Sequence, residues 1–571
     1  MKHLNLLLTL TLLTTLSFAQ TPEFEWVHTY GTTESEWGKA LAVDNQNNVY
    51  AAGMFEGTID FDPGTGVTNL SSGGGRNIFI QKLNPAGDLL WAKVFPSGSS
   101  FNVTAITTDY QNNVIIAGYF NGNSSFPTVD STSTISNQTS QSDAFIVKMN
   151  AAGQFLWARS FGSPTDSGIA GDQITGIKTD NSGNIYSTGY YYGTADFDPG
   201  PATANLSNSS GNSDIFIQKL NPQGNYVWAK RVGGSGYDQA TSLEVYQNTV
   251  LITGWFQLAV DFNPGPATNQ LIAGALSTDM FLLFLTTDGD FNQVKHFDGP
   301  YTNKGVDVAT TTTGEIYLTG TYSDTLDLDP GTGTFLISSD ITSFFVLKLT
   351  PTGDFIWGKG FSDDGFKYSI ALDVLQQKGV VISGMFSDTV DFDPGNGISN
   401  LEAIGEVDVF LLYLDENGDY VWAGSYGNTS PFYNDLLWDI ATDNSGSIYS
   451  TGWYIETVDF DCGSGLEERT SVLYDDIFIL KMHADLLSVS EYSIPDFKLY
   501  PNPSSGNLFI SAENLNNCKV EIYSSMGTTV LTKELSDTDN QLEVQNLSPG
   551  SYVVQLTNEY GSKRQNFVKI D

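Results

Sequence analysis

The sequence predicts an all-β protein: a seven-bladed β-propeller closed by its N-terminal strand, followed by a small C-terminal β-sandwich. Three observations predict it. At 571 residues the chain is too long for one ordinary core. A strand ending in glycine recurs seven times at nearly fixed spacing. A tryptophan strand recurs with it, displaced so that one copy stands at the front of the chain. Composition agrees, since 13% aromatic residues, 57 glycines and only 16% charged residues suit many short strands joined by glycine-rich turns.

The first element is an address. Lys2 and His3 precede an apolar stretch from Leu6 to Leu16, and Ser17-Phe18-Ala19 supplies the small residues a signal peptidase reads. Residues 1–19 are therefore expected to be a secretory signal peptide, cleaved before Gln20. No later apolar run reaches the roughly 18 residues a membrane helix needs, so none is expected in the mature protein.

The propeller is expected over residues 20–484. Its glycine series is Gly53, Gly118, Gly189, Gly254, Gly320, Gly384 and Gly452, at intervals of 65, 71, 65, 66, 64 and 68 residues. Each unit reads alike. An alternating strand such as Ala40–Val43 leads through an Asx-rich turn, Asp44–Asn48, into the glycine-ended strand. A longer excursion follows, then a third strand such as Ile78–Leu83, then a turn and the tryptophan strand Leu89–Lys93. Four antiparallel strands make one blade. Tryptophan strands occur at Trp26, Trp91, Trp157, Trp228, Trp357 and Trp422, with Val294 standing in once. The strand of Trp26 has no blade of its own, and the last unit lacks a tryptophan strand. The N-terminal strand is thus expected to complete blade seven and remove two exposed edges.

These units resemble the β-propeller repeats of secreted bacterial proteins, in which a Gly-Asn-(Ile/Val)-Tyr-x-Thr-Gly hairpin precedes an aspartate-rich loop. The resemblance covers roughly residues 24–484. It implies the fold and no particular reaction.

The aspartate loops are the most distinctive motif. Asp60-Phe61-Asp62-Pro63-Gly64 returns with Asp196 and Asp198, with Asp261 and Asn263, with Asp327 and Asp329, with Asp391 and Asp393, and with Asp459 and Asp461. About 14–16 residues later a polar residue opens the third strand: Asn77, Asp214, Asp279, Asp408 and Asp476, with Ser343 in one unit. Two readings compete. Paired aspartates with a third nearby could hold Ca²⁺, a hard cation that takes six to eight oxygens. Equally, Asp-Pro-Gly is turn chemistry, with the aspartate capping amides and the phenylalanine packing between blades. The repeated tryptophans read as inter-blade packing, and Lys82, Lys148, Lys219, Lys348 and Lys481 as a solvated or salt-bridged face.

Residues 485–494 read as a linker and 495–571 as a small β-sandwich of alternating strands. This stretch resembles the C-terminal sorting domain of the type IX secretion system of Bacteroidetes-type bacteria. The matching residues are Tyr500, Pro501, Asn502 and Pro503 with Gly506, then Gly527, Gly550 with Tyr552, and the closing Lys569. The resemblance implies that the domain is read by the outer-membrane translocon and its processing machinery. The protein would then be secreted or anchored at the outer-membrane surface.

Charge and composition exclude several functions. A net charge of −40, from 65 acidic and 25 basic residues, disfavours nucleic acid and anionic membrane surfaces. Two cysteines, Cys462 and Cys518, fall in different predicted domains, so no disulfide is expected. His3, His28, His296 and His483 are scattered, and no cysteine–histidine metal cluster can be assembled. No cofactor is expected beyond the Ca²⁺ candidate. No nucleophile or zinc-protease motif is present. The expected function is a non-catalytic binding protein with a glycan or protein ligand. The alternative is a glycan hydrolase or lyase with channel carboxylates, which would need two carboxylates in distinct environments. No acid is marked by breaking the repeat pattern; Glu244 and Glu315 replace neutral residues in their units but read as surface positions.

Overall fold

The computed structural model describes residues 22–571 except 97–98, 138–140, 164–170, 209–211, 275–276, 363–364, 377, 430–433, 464, 485–496, 512–517, 525–526, 536–539 and 559–560. The predicted signal peptide and linker lie outside the described residues. The fold is all-β, and the chain forms two compact units divided after Ala484.

The first unit contains seven sheets, each built on four antiparallel strands. Sheet one pairs Trp37–Val43, Val49–Phe55, Asn77–Leu83 and Leu89–Val94 in that order, and sheets two to six repeat the plan. Sheet seven takes Leu436–Thr442, Ser447–Tyr454 and Asp476–His483 from the end of the unit. Its outermost strand is Glu23–Tyr30, from the start of the chain, with Trp26 opposite Lys481. The innermost strands neighbour one another in order, and that of sheet seven lies beside that of sheet one. Second and third strands such as Val49–Phe55 and Asn77–Leu83 are buried at every position. Both faces of each are covered by adjacent sheets, which is why they read as continuous apolar runs rather than alternating ones.

Each innermost strand carries a β-bulge, between Gly38 and Ala40 in sheet one and between Leu437 and Asp439 in sheet seven. The bulge explains the glycine series. A Cβ on Gly53 would lie 2.1 Å from the carbonyl oxygen of Trp37, and one on Gly384 1.9 Å from that of Tyr368. No side chain fits where the bulged strand's carbonyl already sits.

Adjacent sheets are joined by a repeated clasp. The Trp157 indole N–H and the Lys148 ammonium both donate to the carbonyl of Pro222, at 3.2 and 3.4 Å, in the turn between the outer strands of the next sheet. Trp228 and Lys219 share Thr287 in the same way (3.2 and 2.9 Å), and Trp357 and Lys348 share Glu416 (3.0 and 3.1 Å). The displaced N-terminal strand supplies the same parts, since Trp26 and Lys481 both donate to Pro85. The lysines are therefore buried, not solvated. Four of them also meet carboxylates, Lys82 with Asp44 at 2.9 Å and Lys148 with Asp109 at 2.8 Å among them. Trp422 is the exception, its indole N–H buried without a hydrogen-bond partner among the described residues. Sheet seven has no continuous turn between its outer strands to receive it, because its outermost strand comes from the other end of the chain.

The second unit has two sheets. One joins Lys498–Tyr500, Asn507–Ser511 and Gln541–Glu543; the other joins Thr529–Leu535, Cys518–Ser524, Gly550–Asn558 and Gly561–Lys569. Leu508, Ile510, Val520, Ile522, Val554, Leu556 and Phe567 form its core. Cys462 and Cys518 are not joined by a disulfide.

Candidate functional site

The two ends of the seven-sheet unit are built differently. At one end lie the tight turns. Asp44 Oδ1 accepts from the amides of Gln46 and Asn48 at 2.9 and 3.0 Å, and Asp109, Asp180 and Asp443 repeat the arrangement. At the other end lie the longer excursions and the connections between sheets, which differ from unit to unit.

The aspartate loops are at this second end, and they are turns. Asp60 Oδ1 accepts from the amides of Asp62 and Thr68 at 3.1 and 2.7 Å, and Asp62 Oδ1 from that of Gly64 at 2.8 Å. The pattern repeats at Asp196 and Asp198, Asp327 and Asp329, Asp391 and Asp393, and Asp459 and Asp461. The intervening phenylalanines, such as Phe61 and Phe197, are fully buried. The third-strand polar residues turn to other partners. Asp214 pairs with Arg231, Asp408 accepts from the amides of Ile404 and Gly405, and Asp476 accepts from that of Val472. Among the described residues these aspartates do not form a three-carboxylate group. Among the described residues the three-ligand grouping is instead Asp279, His296 and Asp298, with His296 Nε2 at 2.8 Å from the buried Asp279. Its Asp279–His296 pair occupies the place of Asp214 and Arg231 one sheet earlier, a buried carboxylate with a nitrogen partner on the neighbouring strand.

A cavity of about 340 Å³ is bordered by all seven innermost strands. The seven bulges line it, at Lys39, Thr104, Thr175, Thr241, Val306, Ile370 and Trp438. Its charge is unevenly placed. Lys178, which lines the cavity, meets Glu244 at 3.1 Å, so Glu244 is partly buried against it rather than on the open surface expected of it. Glu244, with Asp373 and Asp307 beyond it, holds the Lys178 ammonium protonated well above its ordinary range. Three aspartates each reach to the next sheet. Asp307 accepts from the amide of Leu372 at 2.9 Å, Asp373 from that of Thr442 at 2.7 Å, and Asp439 from that of Leu41 at 2.7 Å. Burial pushes Asp439 up to about 8. Glu315, the other unit-specific acid, pairs with Lys348 at 3.2 Å.

Around the mouth, at the N-terminal ends of the innermost strands, aromatic and basic side chains stack. The Arg76 guanidinium lies 3.9 Å from the Trp37 ring centre, the Lys39 ammonium 3.4 Å from that of Trp438, and the Lys304 ammonium 4.5 Å from that of Trp255. Trp438, Tyr368 and Tyr237 are exposed. Sequence reasoning missed this rim, because a bulge that turns one residue inward leaves no mark in a period-two pattern.

In the second unit the predicted sorting residues largely converge. Asn502 accepts from the amide of Val568 at 2.9 Å and donates to the carbonyl of Asn566 at 3.0 Å, fixing the Tyr500-Pro501-Asn502-Pro503 segment to the last strand. Gly550 stands opposite the buried Lys569 in that strand pair. Tyr552 stacks on Phe567 and donates to the carbonyl of Ser548 at 2.8 Å. The Gly506 carbonyl accepts from the amide of Val544, and Gly527 closes a turn at φ 79°.

Comparison with known proteins follows this division. Residues 498–570 match the secretion system C-terminal sorting domain family. The chain is 25% identical over 507 residues to the uncharacterized WD repeat-containing protein L264 of Acanthamoeba polyphaga mimivirus, covering 75% of this chain and 36% of that protein. It is 27% identical over 138 residues to an endo-acting ulvan lyase of Formosa agariphila, covering 23% of this chain and 26% of the lyase. The chain thus spans about a third and about a quarter of these relatives. Among solved structures, the extracellular domain of a one component system from B. thetaiotaomicron aligns over 93% of this chain and 86% of its own. Identity is 9% and the TM-score 0.18, which carries no argument. The C-terminal unit marks a secreted protein handled by the type IX system, and no helix among the described residues is long and apolar enough to cross a membrane.

Proposed function

We propose that this chain is an exported, non-catalytic binding protein: a closed seven-bladed β-propeller carried to the outer-membrane surface or beyond by its sorting domain. There it presents the loop-bearing end to a glycan or protein ligand. The observation that carries this reading is the engagement of the cavity aspartates. Asp307, Asp373 and Asp439 each accept a main-chain amide from the neighbouring sheet, which makes them ties between sheets rather than free acids. An acid–base pair needs a carboxylate free to reach substrate.

The second reading, a secreted glycan hydrolase or lyase, draws on Glu244, which pairs with the cavity-lining Lys178, and on the partial similarity to an ulvan lyase. One experiment separates the two. The purified mature chain is screened on glycan and protein arrays, and each ligand found is incubated with it and analysed for chain shortening. Saturable binding with the ligand recovered intact supports the binding protein. Shortening that is lost in Glu244→Gln replaces it with the enzyme.

A further inference from the structure

The molecule carries a large negative charge, with 65 acidic residues against 25 basic ones. Its basic side chains are accordingly scarce, and most of those near a carboxylate are used. The lysines of the third strands go to clasps and ion pairs, Lys178 to Glu244, and Arg231 to Asp214. The rim of the cavity is different. Lys39, Arg76 and Lys304 have no carboxylate partner among the described residues, and each lies over an indole instead.

Two of these cations are close neighbours. Arg76 lies on Trp37, Lys39 lies 5.2 Å from that same ring, and Lys39 then lies on Trp438, so that charge and indole alternate across the seam between sheets one and seven. Burial and the Arg76 charge lower the Lys39 ammonium to about 8, the mark of two positive groups set together without a counter-ion. The one acid touching this stack, Asp475, accepts from the Trp37 indole N–H at 3.1 Å and meets neither cation. Among the described residues Arg76 Nε is buried with no hydrogen-bond partner. A buried donor left without an acceptor is costly and is normally satisfied. The stack therefore offers unneutralised positive charge and a donor suited to an anion.

The form of the anion follows from what surrounds it. Trp438 is exposed, with the Lys39 ammonium over its ring. A flat indole next to fixed positive charge suits a pyranose ring that carries an acidic substituent. The ring stacks through its C–H face while the substituent reaches the cations. A long duplex or a membrane would meet the repulsive field of the whole molecule, whereas a saccharide end places one or two charges at the rim alone.

We propose that the Arg76–Trp37–Lys39–Trp438 stack is the binding site for an anionic saccharide, bearing a carboxylate or a sulfate ester, at the mouth of the cavity. This rests on the reading of the protein as a binder and names its ligand class.

The test is titration calorimetry of the full mature chain with oligogalacturonate, a sulfated galactan oligosaccharide, neutral dextran oligosaccharide and a poly-glutamate peptide. The expected result is saturable binding of one or both acidic saccharides, weakening with added salt, and none of dextran. The stronger of the two identifies the substituent. Lys39→Gln with Arg76→Gln is expected to weaken binding about tenfold or more, and Trp438→Ala by about fivefold or more. Thermal melting of each variant, with Lys304→Gln as a milder change at the same rim, separates lost contact from lost fold. Dextran binding as well as the acidic saccharides, poly-glutamate binding more tightly than either, no acidic saccharide binding, or rim variants at wild-type affinity with wild-type melting would each overturn the proposal. If an array ligand binds the rim variants as it binds wild type, this site falls and the binding protein stands. Chain shortening lost in Glu244→Gln removes the binding reading itself.

Discussion

The tight-turn end and the loop-bearing end of the large unit are made of similar residues used in opposite ways. At the tight turns, burial alone would raise Asp44, and hydrogen bonds from Asn48 and Lys82 outweigh it, holding the carboxyl below its ordinary range. Asp109 and Asp443 behave alike. At the loop end several acids, Asp143, Asp238, Asp435 and Asp476 among them, are buried with only amides or nothing to meet them. Burial pushes Asp143 up to about 8, a shift that Asp172 adds to, and Asp238, Asp435 and Asp476 up to about 7. One end repeats because its turns and clasps hold adjacent sheets together. The other varies, because it is released from that duty.

The most disruptive way to break the comparison is to delete residues 22–30, which removes the outermost strand of sheet seven and the Trp26 half of its clasp on Pro85. Loss of cooperative melting and aggregation are expected, since an edge is exposed on each side of the seam. Scanning calorimetry with light scattering reads both.

Single clasps come next. Trp157→Ala is expected to cost about 3–5 kcal/mol by denaturant titration. Trp422→Ala, whose indole N–H already lacks a partner, is expected to cost about 1 kcal/mol less. Lys148→Met leaves Asp109 buried and unpaired, for about 3–5 kcal/mol.

The contrast in pH response sharpens the comparison without mutation. Acids raised in the folded state contribute stability that is full below about 4 and lost as pH rises through about 7 to 8. The depressed acids contribute above the ordinary carboxylate range and lose it as pH falls through their folded values. Hydrogen exchange, corrected for intrinsic rates, should therefore show the loop end opening first above pH 8. The tight-turn end should open first in acid. Opening in the reverse order would contradict the assignment.

The smallest effect is expected in the aspartate loops. Asp60→Ala removes two amide acceptor contacts, and about 1 kcal/mol should be lost. Millimolar Ca²⁺ after chelator treatment should leave the melting temperature unchanged. A saturable rise lost in that variant would mean that the loops hold metal.

Much of this was legible in the sequence. The glycine series marks strand ends because the bulged carbonyl excludes a side chain there. The orphan strand of Trp26 announced its pairing with the last sheet, and the sorting motifs sat in order before the last strand. What escaped was pairing at a distance. Nothing in the chain says that Lys82 finds Asp44, or that Glu244 finds Lys178, because strands covered on both faces lose the alternation that separates inside from outside. The rim was hidden for the same reason, since a one-residue bulge reverses the side on which Lys39 and Trp438 emerge.

The splice also sets how the molecule would bear load. Tension drawn along the chain from the C-terminal unit enters the large unit at the end of the strand Asp476–His483. That strand is hydrogen-bonded on one flank to Ser447–Tyr454 and on the other to Glu23–Tyr30. A pull along its axis strains two ladders in shear together instead of peeling one bond at a time, so the load is taken by both ends of the chain's own splice.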